Sequence, residues 1–533
     1  MEEKAISGKS AVYMDETVFD GQSEQGVELD YVLPDYYPDI FKILSCTLTP
    51  RIVSCNVSGD LKLNLEAIVY IKALYLTDNS SDVHCIDQRY TYSKLIDIGK
   101  NLSDVTVDSS ALRLNIIPKS DYCNCRAVSP RRLDIRGAVS CGIRAAAPVH
   151  HDLFSVCSSA ESTEPSTVHP LEVRTQEISC CGKTLSAEKQ LTVREEIDTG
   201  AAGIGFILES NAIPRVTDLR IVADKAVLKG TITVTALYGL PGENGSGCGK
   251  TEKMTADIPI SAILDIEGIS DNYLTMPGIT IMNIELLPRT DSGMISAELS
   301  VNCTLRAVSR ETVCIASDAY SVDYETDITS SRLRVCTEPR TLSRTLSVKS
   351  ALAYNDGEIH SVWDCCGEIK NPVCRPNTEG ALVLTGTLCL SAYGTNSEDI
   401  PFYIEKQEPL EQIIEADNIT PDSFADFTAA VTDTGFSIQG SEGIDITVTI
   451  EFNGVVENIL PIEAITSVKL LEDKPKKKNT DYALRICYTG ENEAAGVWDI
   501  AKRYNTTVKA LMEDNGIEDS SQPLSGMIII PTV

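Results

Sequence analysis

Through the body of this chain, apolar and polar side chains alternate at every second position in segments rich in Val, Ile, Thr and Tyr. Clusters of Gly, Asn, Asp, Ser and Pro interrupt those segments at roughly ten-residue intervals, which is the pattern of strands. Helical spacing is sparse. Pro38 to Leu44 and Pro409 to Ala416 are the best short helical candidates in this region.

The alternating region also repeats itself. Ile43 to Ile52 aligns without gaps on Ile207 to Val216, and Glu66 to Tyr75 falls on Lys229 to Tyr238, both of the latter ending in Ala-Leu-Tyr. A weaker third copy, Leu384 to Tyr393, keeps the alternation and the terminal tyrosine. Blocks agreeing in spacing point to duplication more firmly than any single motif. Each copy closes on a second strand group: Leu114 to Pro118 before LDIRGAVSCGIRA, Ile284 to Pro288 before ISAELSVNCTLRAV, and Phe436 to Ile438 before IDITVTIEF. Two strand groups of similar size pack most simply face to face, so the expected fold is mainly β, with three β-sandwich-like repeats. Their expected bounds are 1–157, 171–335 and 340–472, with polar or proline-containing joints at Ser158 to Pro170 and Glu338 to Thr345. The basic run Lys474-Pro475-Lys476-Lys477-Lys478 reads as a solvated linker, 473–480.

The final segment, 481–533, changes period. Leu484 to Tyr488 reads as a strand, and Val497, Trp498, Ile500, Ala501 and Tyr504 fall at helical spacing. Asn505-Thr506-Thr507 offers N-cap oxygens to a second helix, whose stripe is Val508, Leu511 and Met512 and whose stop is Asn515-Gly516. The apolar run Gly526 to Ile530 closes the unit as a strand before Pro531. On Tyr488, Trp498 to Tyr504, Thr507-Val508, Leu511, Asn515-Gly516 and Leu524 to Pro531, this small α+β (βααβ) domain resembles the lysin motif, or LysM domain. The resemblance implies binding of N-acetylglucosamine-containing glycans or, in some members, of proteins. It places a ligand groove at Tyr488, Asn492, Ala494, Ala495, Gly496, Trp498, Asn515, Gly516 and Ile517. Trp498 is expected partly as core, packing the first helix on the strands. Where the family usually carries Gly-Asp-Thr before the first helix, this chain has Glu493-Ala494-Ala495-Gly496, a more apolar wall that favours a protein over a sugar.

Charge and chemistry narrow the picture further. A net charge of −31 excludes a general nucleic-acid binder, because phosphate neutralisation needs clustered Lys and Arg that the chain lacks outside its short basic run. The start has no charged-then-apolar leader and no window is apolar enough to span a membrane, so the expected location is the cytosol of the cell that makes it. Eighteen cysteines over 533 residues are too dilute for a disulfide scaffold and are expected to be mostly reduced, small hydrophobes within the alternation, as at Cys303 and Cys389. Gly8-Lys9-Ser10 lacks the first glycine of a phosphate-binding loop. His360 with Cys365, Cys366 and Cys374, the pair Cys123 and Cys125, and Cys180-Cys181 lack the paired spacing of a zinc finger. Five histidines and no nucleophile elbow argue against a hydrolase. The expectation is no catalytic residue, no metal and no cofactor.

Three β-rich repeats followed by a LysM module resemble the SPOCS-domain (SipL-like) spore coat morphogenetic proteins of spore-forming Firmicutes. The residues that carry this are the Leu33-Pro34-x-x-x-Pro38-Asp39-Ile40-x-Lys42-Ile43-Leu44 stretch, the strand blocks ending at Tyr75, Tyr238 and Tyr393, and the LysM segment. The resemblance implies a non-enzymatic adaptor in the mother cell, at the forespore surface or spore coat, docking through its LysM domain onto a SpoIVA-like coat morphogenetic ATPase. A peptidoglycan-binding protein of the spore cortex or cell wall is the alternative.

Overall fold

The computed structural model describes residues 9–78, 82–99, 112–154, 171–241, 248–289, 292–440, 443–476, 485–489, 495–520, 523–524 and 526–531. The fold is mainly β, and its first eighteen strands form three sets of six with one repeated order. The first set is β1 (Lys9–Val32), β2 (Lys42–Val57), β3 (Lys62–Leu76), β4 (Val83–Asp97), β5 (Arg113–Ser129) and β6 (Arg132–Phe154). Strands β2, β3 and β4 make an antiparallel meander, and β1, β6 and β5 make the facing sheet, with β6 in the centre. The second set, β7 (Leu171–Asp198), β8 (Phe206–Val222), β9 (Lys225–Pro241), β10 (Cys248–Asp265), β11 (Leu274–Pro288) and β12 (Met294–Ser321), repeats the arrangement. So does the third: β13 (Tyr324–Ala353), β14 (Ile359–Pro376), β15 (Leu382–Asn396), β16 (Pro401–Ile414), β17 (Phe424–Gln439) and β18 (Gly443–Pro475).

Alternation explains the sandwich directly, because successive side chains on a strand point to opposite faces. On β12, Ile295, Ala297, Leu299, Val301, Cys303, Leu305 and Ala307 are buried at every second position. They meet Leu228, Ile232, Val234, Ile258 and Ile260 of the facing meander in one core. The repeated Ala-Leu-Tyr has its own cause. At the ends of β3 and β9 alternation stops, and Leu74, Tyr75 and Leu76 of one and Leu237 and Tyr238 of the other are buried on both faces. There the three meanders converge on Leu74, Leu76, Val83, Leu208, Leu237 and Tyr393. Close packing also fixes Gly230, where a Cβ would lie 2.8 Å from the Arg215 carbonyl oxygen.

The first and last strands of each set overshoot their sandwich. Each pair carries a register shift at the same level: Thr17/Phe19 in β1, Val308/Arg310 in β12 against β7, and Thr337/Arg340 in β13. Bulges bend and twist a ladder. Beyond them, the ribbons β1–β6, β7–β12 and β13–β18 pack into a shared stem around Leu153, Ile178, Cys180, Ile315, Leu333, Val335, Ile462 and Ala464. A second layer follows with Phe154, Ala316, Ala319, Ile465 and Val468.

The stem corrects several expectations. Glu338 to Thr345, expected as a joint, lies inside β13, which pairs with β18 from Tyr324 onward. The passage from the second set to the third therefore falls at Val322-Asp323, ahead of the expected 335–340. The other joint, Ser158 to Pro170, lies outside the described residues. Pro38 to Leu44 is not helical: Pro38 to Phe41 is irregular and β2 begins at Lys42. Pro409 sits in β16, an edge strand bonded only to β15, where a missing N–H does no harm. The linker is also shorter, since β18 runs to Pro475 and Lys476 is anchored, while 477–480 lies outside the described residues.

The Leu33 to Ile40 stretch is a clasped loop. Arg131 donates to the carbonyl oxygens of Leu33 (3.4 Å), Pro34 (2.7 Å) and Tyr37 (3.1 Å) and to Asp39 (2.7 Å), while the Tyr75 hydroxyl donates to Pro38 (3.1 Å). Arg131→Ala removes these bonds from carbonyls inside the loop, and the expected cost is about 1–2 kcal/mol. Thermal unfolding of the full chain checks it, as a first transition a few degrees lower.

Candidate functional site

The C-terminal unit folds as its periodicity predicts. Strand β19 (Arg485–Thr489) pairs with β22 (Gly526–Ile530), and the short β20 (Ala495–Gly496) pairs with β21 (Pro523–Leu524). Between them lie α1 (Val497–Tyr504) and α2 (Val508–Asn515). Thr507 caps α2 by accepting from the Ala510 N–H at 3.1 Å, and Gly516 ends it with φ +63°. Val497, Ile500, Ala501, Leu511, Ile528 and Ile530 form the core of the unit, and that core continues into Tyr320 at the end of β12 and Val322 just after it.

That continuity decides what Trp498 does. Its ring meets Tyr320 edge-on at 5.0 Å, and its Nε1–H donates to Asp318 at 2.8 Å. Lys502, one turn along the same face of α1, donates to both oxygens of Asp318 at 2.7 Å. Trp498 therefore packs α1 against the stem, at the edge of the one core that Tyr320 and Val322 share with Ile528 and Ile530 of the module's own β22. Three further contacts seat the α1–α2 turn. The Tyr320 hydroxyl donates to the Thr506 carbonyl oxygen at 2.7 Å, and Lys476 donates to Asn505 (2.8 Å) and to the Ser321 carbonyl oxygen (2.9 Å). Glu172 on β7 accepts from the Val508 N–H at the start of α2. Burial raises the Glu172 carboxyl above its ordinary value, and that N–H partly offsets the rise. Burial likewise lowers the Lys476 ammonium.

The expected groove residues are scattered across the unit. Asn492 and Ala494 lie outside the described residues, as does the side chain of Ala495, whose backbone is in β20. Gly496 precedes α1 with extended backbone. Asn515 is a structural pin: its side chain donates to Leu511 and Ile529 carbonyl oxygens and accepts from the Ile529 N–H, all within 2.8 Å. Gly516 and Ile517 do line a cleft of about 600 Å³, with Val508, Met512, Lys509, Glu513, Glu518 and Glu172. Tyr488 is elsewhere. It stands 78% exposed on β19 beside Met527, 70% exposed on β22, with Ile486 on the same outward face.

Sequence reasoning missed Asp318, Tyr320 and Glu172, which lie far from the module in the chain, and read Lys476, just ahead of the module, as part of a solvated linker. Lys502 lay within the quoted helix, but its spacing from Trp498 only marks a shared face and names no partner for it. Among the described residues no group of three or more His, Cys, Asp or Glu is placed to hold a metal ion, and no helix is long and apolar enough to cross a membrane.

The fold and the seated module define a protein of three six-stranded β-sandwich repeats carrying a small βααβ binding domain. Comparison with family models adds names: residues 39–117 and 204–287 match the SipL, SPOCS domain, and residues 497–530 match the LysM domain. The chain thus has the SPOCS-plus-LysM arrangement, its third six-stranded set lying between the matched segments. No curated protein and no solved structure matches it. The first family points to a role connected with the spore coat and the second to peptidoglycan binding; both are families of binding domains without catalysis.

Proposed function

We propose that this protein is a non-enzymatic adaptor of spore coat assembly. It acts in the mother-cell cytoplasm at the forespore surface and presents its LysM domain to a SpoIVA-like coat morphogenetic ATPase. The observation that carries this reading is the seating of Trp498 on Asp318 and Tyr320. With that ring committed to the stem, the large apolar side chains left exposed among the described residues of the module are Ile486, Tyr488 and Met527 on the outer face of its sheet. An exposed aromatic with apolar neighbours is a natural protein anchor.

The second reading, peptidoglycan binding, follows from the LysM match and has the α2 cleft as its seat. That cleft has an apolar floor of Val508, Met512 and Ile517, an acidic rim of Glu172, Glu513 and Glu518, and no aromatic ring among its lining residues for a sugar to stack on. The two readings separate experimentally. In pull-downs from sporulating cells, the double variant Tyr488→Ala, Met527→Ala is expected to lose at least about tenfold of the recovered ATPase, the loss of one well-packed anchor. Undiminished recovery overturns the docking role. Saturable binding of N-acetylglucosamine oligomers to the full chain, weakened by Ile517→Asp, supports the glycan reading instead.

A further inference from the structure

Where the second and third ribbons meet in the stem, the Sγ atoms of Cys181 on β7 and Cys336 on β13 are 3.1 Å apart. They are separated by 155 residues in the chain, and each sits at a register shift, Cys181 opposite Arg310 and Cys336 just before the Thr337/Arg340 shift. The cysteines whose side chains are described are free thiols. Two sulfurs at this separation need to approach by about 1 Å to reach bonding distance, and bulges are where a ladder most easily yields. Cys181 is buried and Cys336 half-buried, so Cys336 is the more accessible of the two.

We propose that Cys181 and Cys336 form a redox-operated lock between the second and third repeats, closed by thiol–disulfide exchange with a low-molecular-weight disulfide, RS–SR. The Cys336 thiolate attacks one sulfur of RS–SR, forms the mixed disulfide and expels RS⁻. Cys181 then loses its proton and attacks the Cys336 sulfur, and a second RS⁻ leaves. Two protein thiols give up two electrons and two protons, and RS–SR takes them up as two RSH. The bond closes a chain loop longer than a whole sandwich, the case in which a cross-link most restricts the unfolded chain. It joins the ribbon that carries Asp318 and Tyr320 to the ribbon that ends at Lys476, so it also fixes the platform on which the LysM unit sits. Contact with Cys181, burial and the nearby Glu457 all hold Cys336 in its protonated form, above the ordinary thiol range. Closure is therefore slow at neutral pH and accelerates as pH rises.

The test is to incubate the full chain with oxidised glutathione, block remaining thiols with N-ethylmaleimide, digest with trypsin without reductant and identify linked peptides by mass spectrometry. The proposal expects peptide 175–183 joined to peptide 335–340 in the wild type and in Cys180→Ser, and loss of that species in Cys181→Ser. It also expects a rise in Tm that reductant reverses. Cys314, which is exposed, reports that the oxidant is active. Recovery of Cys336 only as its maleimide or glutathione adduct, with Cys314 already oxidised, overturns the proposal. So does a linked species that survives in Cys181→Ser and vanishes in Cys180→Ser. The wild-type result stands whether or not a variant folds.

Discussion

Asp318→Ala frees the LysM unit from the stem without unfolding it. Asp318 is the common acceptor for Trp498 and for Lys502, and its loss leaves an indole N–H and an ammonium facing a partly dry surface with no carboxylate. Charge-assisted hydrogen bonds of this kind contribute more than neutral ones. The Lys502 side chain is 42% exposed, so solvent screening discounts its share. A loss of about 2 kcal/mol remains, which is roughly a thirtyfold rise in the undocked fraction. Hydrogen exchange should then quicken at Ile500 to Val508 and at Ala319 to Val322, while the sandwich strands keep their protection. Trp498 fluorescence should shift to the red. Unchanged exchange at both segments would show that Tyr320, Lys476 and Glu172 hold the seat without Asp318.

The same contact sets an acid limit on docking. Burial works to raise the Asp318 carboxyl, but the hydrogen bonds from Lys502 and Trp498 outweigh it, and the net result lies below the ordinary value of 3.8. A lowered value in the docked state means that the contribution is complete above 3.8 and disappears as pH falls through the docked value. Glu172 runs the other way, since its raised value favours docking at low pH, and that gain is lost as pH rises through its docked value. The difference between wild type and Asp318→Asn isolates the Asp318 part. It should be constant from neutral pH down to about 5 and shrink below 3.8.

What the sequence made legible was whatever repeats or alternates. The three strand blocks, the second-half hairpins and the strand-helix-helix-strand order of the last segment all stand where their periods place them, because periodicity reports which face of an element is buried. The stem was not legible. Its strands alternate like those of the sandwiches, so nothing marked where a ribbon leaves one core for another, and Glu338-Pro339 looked like a joint although it is a bulge in a continuous ladder. Trp498 shows the same limit. Helical spacing showed that it lay on an apolar face, but the surface it meets belongs to Asp318 and Tyr320, a contact across 180 residues that no local pattern encodes. Tyr488 was legible as a residue of interest, but strand pairing, not spacing, sets it beside Met527.

Phe452→Ala is expected to reach from the third sandwich into the LysM seat. Phe452 is completely buried, stacks on Phe427 with ring centroids 5.2 Å apart, and packs among Leu384, Leu388 and Ile450. Truncating such a ring costs about 3–5 kcal/mol, because the lost transfer energy is joined by a cavity the neighbours fill only in part. The third sandwich should melt in an earlier, separate transition, as a multidomain chain allows. The damage does not stop there, because β18 runs unbroken from Gly443 to Pro475 and brings Ile462, Ala464, Ile465 and Val468 to the stem before Lys476 reaches Ser321 and Asn505. Loosening its first half therefore weakens the stem and the platform under α1. The contrast is Ile530→Ala, which empties the module's own core and should melt the LysM unit while all three sandwiches keep their transitions. Differential scanning calorimetry combined with Trp498 exposure distinguishes the two: Phe452→Ala should expose Trp498 as the third sandwich melts. If Trp498 stays protected through that transition, the stem holds together without the third ribbon, and the LysM seat rests on β7 and β12 alone.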